Sequence, residues 1–275
     1  MNFEPGTLVS FFTSGFSSHV KAKAIDVGYP SSEEFVSFLS GEILSVEKFN
    51  VGRPNVFATV NYDYKVILKS KNRYIKILHV EPYLSPGEQV KRGDVLGRLI
   101  SSPYTGGDFK HAHVEGLPLS FPKVTRYQES GAGVVVNRTE SFFDVKLTRY
   151  TEAGDIRGLG CCGGILNASL PYAGYGGLIG VEVKGNINLL GKRYFTKVKK
   201  SVTLIESRRG LLKNWDYGPA FKVMRNEPID GPPLLESVLS FKGEPMVRLF
   251  MKTDAKEGDE IDVWSTIGNY LARKV

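Results

Sequence analysis

Cysteine is almost absent from this chain. The two present, Cys161 and Cys162, are neighbours, and neighbouring cysteines cannot staple distant segments, so no disulfide framework supports the fold. That agrees with a reducing compartment. Long apolar runs are missing too: nothing approaches the roughly 18 uninterrupted apolar residues of a membrane span. The opening MNFEPGTLVSFFTSGF carries Glu4 and no Lys or Arg before its apolar run, unlike a secretory signal. A cytoplasmic protein without membrane contact is the expectation. Histidine is also scarce, with four in 275 residues and none after His113.

Apolar residues at 41% and charged residues at 24% are enough to form a core and argue against disorder or a fibrous repeat. The net charge of +7 is spread along the chain rather than gathered in a tail. Its densest stretch, GKRYFTKVKK at 191–200, alternates as the solvated face of a strand does, so nucleic-acid binding is not expected.

Helical signals are few. SSEEFVSFLSGEI, Ser31 to Ile43, has a serine cap, early acids and Phe35, Phe38 and Leu39 on one helical face, which predicts one or two turns of helix. Nearly everything else alternates with period two between Gly, Pro and Asn, the pattern of a mostly β protein. YKVILKS and RYIKILHV flank Lys71-Asn72 as a hairpin, with His79 sharing the parity of Ile75 and Ile77. LSPGEQVKRGDVLGRLI, 84–100, holds two turns, and Lys256 to Asp259 echoes the second of them as turn chemistry rather than a repeat. Prolines and Gly131-Ala132-Gly133 interrupt the strands between 115 and 133. Two domains are therefore expected, 1–122 with every histidine and 123–275 as a second β domain. Gly158 to Gly163 fits G-x-G-x-x-G, but no strand is evident before it and glycines and a proline interrupt any helix after it, so it reads as a loop.

Residues two apart on a strand face one side, so Phe109, His111, His113 and Glu115 should point together. His19, Asp26 and His79 complete an inventory of imidazole and carboxylate, the borderline ligands that zinc prefers.

In this order and setting the residues resemble the lysostaphin or LytM-type zinc metallopeptidases. That family pairs a His with an Asp near the domain start, then has a strand ending in His, a lipoyl-like G-x-x-V-x-x-G-D-x-x-G segment and a closing H-x-H-x-E. The corresponding features here are His19 and Asp26 with GYP after the Asp, His79, PGEQVKRGDVLGRLI, TGG and HAHVE, within roughly residues 10–118. The resemblance implies a LytM-like β-sandwich (a duplicated hybrid motif) at the N-terminus. It also implies Zn²⁺ held by His19, Asp26 and His113 with a position left for water, His79 and His111 as catalytic acid, base or oxyanion partners, and a peptide or protein substrate. Glu115 has the parity to hold an imidazole from behind. The family spaces its first pair H-x-x-x-D, whereas six residues lie between His19 and Asp26, so His19 reaches the metal only if a bulge or loop brings it back. An alternative reading is a catalytically inactive LytM-like module that binds zinc or a ligand and recognises a partner.

Overall fold

The computed structural model describes residues 3–14, 16–52, 57–105, 107–199, 201–213 and 228–273. Gly106 of TGG, Lys200 of the basic stretch and residues 226–227 of NEPIDGPP lie outside them. The protein is mostly β, as its alternating pattern predicts. The first part contains β1 (Leu8–Ser10), a helical turn α1 (Ser17–Val20), β2 (Ala24–Gly28), β3 (Glu34–Val36), β4 (Gly41–Asn50), β5 (Tyr62–Ser70), β6 (Arg73–Leu78), β7 (Val80–Pro82), β8 (Gln89–Val90), β9 (Val95–Leu99) and β10 (Ala112–Glu115). An antiparallel sheet runs β8-β4-β5-β6-β10-β2-β1. A smaller sheet, β3-β9-β7, accompanies it.

The hairpin β5–β6 closes with Ser70 opposite Arg73, so Lys71 and Asn72 form its turn. Val66 and Leu68 on one strand and Ile75 and Ile77 on the other are buried, and His79 is buried with them. Alternation sets the four strand residues directly, because each pleat turns every second side chain inward.

The second part contains β11 (Ala132–Arg138), β12 (Phe143–Leu147), β13 (Thr151–Ala153), β14 (Ile156–Cys161), β15 (Gly164–Leu170), β16 (Tyr175–Ile179), β17 (Asn186–Leu189), β18 (Lys192–Lys199), β19 (Val202–Glu206), β20 (Leu235–Phe241), β21 (Met246–Leu249), β22 (Glu260–Asp262) and α2 (Val263–Ala272). They run β22-β11-β12-β21-β20-β15-β16-β19-β18-β17, with the hairpin β13–β14 set against β15 and β20. β20 belongs to both parts, since Leu239 and Ser240 pair with Val9 and Leu8 of β1. One buried cluster joins Phe11, Phe12, Ile25 and Val66 to Ile165, Tyr175 and Leu204. The segments 1–122 and 123–275 are thus bonded edge to edge and share a core.

Three local expectations are corrected. Residues 31–43 form no helix: Phe35 pairs with Gly97 in the small sheet, and the Ser37 hydroxyl bonds Leu39 O at 2.7 Å. The helical spacing of Phe35 and Phe38 serves an aromatic cluster instead, in which Phe38 meets Phe3 at 4.8 Å and Phe35 at 6.4 Å. Gly158 to Cys161 is strand rather than loop, with the turn at Cys162-Gly163. Its glycines permit close packing: a Cβ on Gly158 would collide with Ile165, and one on Gly160 with Gln128 O. α2 follows β22 in a segment for which no helix was expected, and Asp262 caps it by accepting from Ser265 N at 2.8 Å.

The turn echo is real as local geometry. In both copies the acid bonds back to the backbone N–H three residues earlier, Asp94 to Lys91 at 2.7 Å and Asp259 to Lys256 at 2.8 Å, around a left-handed glycine.

Candidate metal centre

Asp26 lies in the middle of β2, every residue of which is buried. His113 is its cross-strand partner on β10, so the two side chains share one sheet face. His19 comes from α1. Its carbonyl accepts from Ala22 N at 2.8 Å, and the left-handed Ala22 turns the chain directly into β2. The extra residues between His19 and Asp26 are therefore taken up by the end of a helical turn and the short turn at Lys21-Ala22, a tight form of the loop that the spacing suggested.

The three side chains converge. His19 Nε2 is 3.1 Å from Asp26 Oδ1 and 2.9 Å from His113 Nδ1, and His113 Nδ1 is 2.9 Å from Asp26 Oδ1. The other ring nitrogens fix the tautomers. His19 Nδ1 lies 2.8 Å from Phe11 O, a pure acceptor, so it carries the proton and donates. His113 Nε2 lies 2.9 Å from Glu115 Oε1, so it donates as well. Two imidazole lone pairs and a carboxylate oxygen then face one another with no hydrogen among them, an arrangement that requires a proton or a cation in the middle. Asp26 Oδ2, also buried, has no hydrogen-bond partner.

A tetrahedral zinc with bonds of about 2.0–2.1 Å would set its ligands about 3.3 Å apart. The observed separations are a few tenths of an ångström tighter, a shift that side-chain rotation supplies. Ligand imidazoles braced from behind by a carbonyl and a carboxylate are the arrangement that orients metal ligands.

His79 and His111 flank this triad. Their ring centroids are 5.5 Å apart, and His111 Nε2 is 3.8 Å from Asp26 Oδ1. His79 follows β6 in the left-handed region at φ 64°. Asp63 holds it there, accepting from His79 N at 2.9 Å and from His79 Nδ1 at 2.6 Å, and Ser102 Oγ donates to the same carboxylate at 2.7 Å. His111 precedes β10 rather than lying on it, and its Nδ1 donates to Phe109 O at 2.6 Å. Both histidines thus leave Nε2 as the nitrogen with a lone pair. Phe16 covers the group, 4.8 Å from the His113 ring and 6.2 Å from that of His79.

Charges are sorted around this centre. Burial alone would raise the Asp26 carboxyl, but the imidazoles of His19, His111 and His113 gathered around it hold it well below the usual range. Burial pushes the His111 imidazole down to about 4, so it is neutral at pH 7. His113 is raised despite burial, because Asp26 and Glu115 stabilise its charged form. Glu115 falls to about 2 against its own burial, through hydrogen bonds from His113 and Lys76.

A second acid enters from the other half of the chain. Glu236 on β20 is 2% exposed, and it lines a small cavity with Asp26, His111, Ser10 and Thr13. Burial raises its carboxyl to about 8, and its Oε2 has no partner. Folding therefore favours the protonated form: below the unfolded value of about 4.3 both states hold the proton, and as pH rises towards 8 only the unfolded state releases it. Metal-free protein should lose stability through that window, by up to about 1.4 kcal/mol per pH unit. Glu236→Gln, which keeps the shape but cannot ionise, should flatten the slope. Chemical denaturation at a series of pH values checks this, and equal slopes for the two proteins would refute it.

All five residues expected at the site are gathered here: His19, Asp26 and His113 as the converging triad, His79 and His111 beside it. Glu115 also takes its expected place. Asp63, Ser102, Phe16 and Glu236 were not anticipated. For Asp63 periodicity offered no signal, because it shares strand parity with Lys65 and Lys69 rather than with the buried Val66 and Leu68.

Residues 3–132 match the family described as domain of unknown function (DUF8155), N-terminal domain, a span that includes the triad, His79, His111 and Asp63. The comparisons with curated proteins and with solved structures find no match.

Proposed function

We propose that the protein is a zinc-dependent metallopeptidase or related amide hydrolase, the activity that its resemblance to the lysostaphin or LytM-type enzymes implies. One observation carries the reading: the lone pairs of His19 Nε2 and His113 Nδ1 and the oxygen Asp26 Oδ1 converge within 3.1 Å of one another with their protons committed elsewhere. Zinc bound there would supply Lewis acidity and a water acidic enough to ionise near pH 7. Three protein ligands leave a fourth position open, as catalytic sites do. His111 Nε2, neutral and unprotonated, takes the proton of the attacking water. His79, with Nδ1–H tied to Asp63, presents Nε2 to the reacting group and steadies the charge that develops there.

Zinc titration of chelator-treated protein tests the reading. Near-stoichiometric uptake is expected, and protein that stays metal-free after incubation with zinc would end it. Asp63→Asn provides a separate check. Asn offers one acceptor oxygen where Asp63 serves donors with two, so His79 loses its orientation while the zinc ligands are untouched. Peptide hydrolysis should fall about 10- to 100-fold at unchanged zinc content. An unaltered rate would remove His79 from the mechanism.

The enclosure of the site favours a second reading, a zinc-binding recognition module without catalysis. His19 and His113 are fully buried and Phe16 lies over the triad. Full zinc occupancy with no cleavage across a broad peptide panel would select it.

A further inference from the structure

A cavity of about 920 Å³ opens at the outer end of β10. Its charged lining is Lys21, Lys23, Arg73, Lys76 and Glu115. Among the described residues Glu115 is the only acid there, and it is already committed to His113 at 2.9 Å and Lys76 at 2.7 Å. A second cavity of about 340 Å³ shares Ser17 and Lys21 with the first and adds Lys197 and Lys199 of β18. Lys199 Nζ donates to Lys21 O at 3.1 Å, which ties the two stretches together. The result is a basic track across both halves of the chain, with an apolar floor at Leu117, Pro118 and Leu119. It touches the metal centre at its edge, through Glu115 and through Ser18, whose Oγ lies 3.5 Å from His113 Nε2.

We infer that this track is an exosite for an acidic peptide segment, one rich in Asp and Glu with apolar residues between them. Charge complementarity supports that occupant: among the described residues Lys23, Arg73 and Lys197 form no ion pair within the protein, and opposite charge steers association and selects partners. The apolar floor suits side chains between the acids. Single-stranded nucleic acid is disfavoured because it is held by stacking on aromatic faces, and the one aromatic ring in the lining, Phe16, is laid against His113. The track leads to His113 from the side away from Nδ1, so it would hold a part of the substrate remote from the bond that breaks. As a substrate determinant it rests on the peptidase reading, but as a binding surface it does not.

Fluorescence anisotropy with zinc-loaded protein tests it, using labelled oligoglutamate, oligolysine of equal length and a single-stranded oligonucleotide. Oligoglutamate should bind, more weakly as salt rises, and oligolysine should not. The triple variant Lys23→Glu, Arg73→Glu, Lys197→Glu should bind oligoglutamate at least about tenfold more weakly (~1.4 kcal/mol) with wild-type zinc content and melting temperature. The corresponding triple Gln variant, which only removes charge, should fall between. Absence of oligoglutamate binding, no loss in either variant, or tighter binding of the oligonucleotide would each overturn the exosite. Binding that behaves as expected on a protein that cleaves no peptide would sink the peptidase reading alone. Cleavage of neutral peptides with no oligoglutamate binding would sink the exosite alone.

Discussion

His113→Ala protein should carry almost no zinc where wild-type protein carries close to one equivalent. Removing His113 leaves His19 Nε2 and Asp26 Oδ1, a pair 3.1 Å apart and one ligand short of an open tetrahedral set. It also takes from Glu115 the His113 Nε2 donor at 2.9 Å and leaves it paired with Lys76 at 2.7 Å. Thermal melting separates metal loss from misfolding. A ligand that binds only the folded state stabilises it by about 2.7 kcal/mol at a hundredfold excess over its Kd, so zinc should raise the melting temperature of wild-type protein and leave that of His113→Ala unmoved. Asp26→Asn, which keeps the shape and removes the charge, should lose zinc as well, whereas His79→Ala should keep it. Wild-type zinc content in His113→Ala would show that the convergence of the three atoms is a proton-shared network and not a metal site.

Much of this centre was legible as spacing. Alternation put His113 and Glu115 on one strand face and Ile75 and Ile77 on one side of theirs, because a two-residue period is enforced by the pleat, whereas His79 lies past the end of β6 in the left-handed region. The helix expected over 31–43 failed for an instructive reason: Phe35 and Phe38 have helical spacing, yet burial against Gly97 and Phe3 decides where such a short segment goes. The reach of His19 was not legible, since a single helical turn and a left-handed Ala22 leave no periodic trace. Nor was Glu236 on β20, because no local pattern announces which distant strand β1 will pair with. Its arrival beside Asp26 follows from the register of Leu8 and Val9 against Ser240 and Leu239.

The same register gives Arg248 its leverage, and Arg248→Ala should cost about 3–5 kcal/mol of folding stability. Arg248 lies on β21 opposite Glu236, and its guanidinium grips Asp144 with two bonds, Nε to Oδ1 at 2.7 Å and Nη2 to Oδ2 at 3.0 Å. Both side chains are buried, 8% and 3% exposed, so the alanine variant leaves a carboxylate in the interior with, among the described residues, the side chain of Asn137 alone still donating to it, Nδ2 at 2.8 Å. The guanidinium also lies 3.9 Å from the centroid of Phe142 and 4.3 Å from that of Phe109, contacts that strengthen when dry. Loss of so large a share of a domain's usual margin of about 5–15 kcal/mol would be plain in urea or guanidinium denaturation. The effect comes chiefly from an orphaned charge, so Arg248→Met combined with Asp144→Leu should recover most of it. A double variant as unstable as the single one would place the cost in packing instead. The remaining consequence is local: Arg248 Nη1 donates to Gly107 O, at the start of the segment that delivers His111. The double variant should therefore fold and bind zinc yet hydrolyse peptides more slowly, because a strand from the second half of the chain no longer anchors the backbone leading to the proposed base.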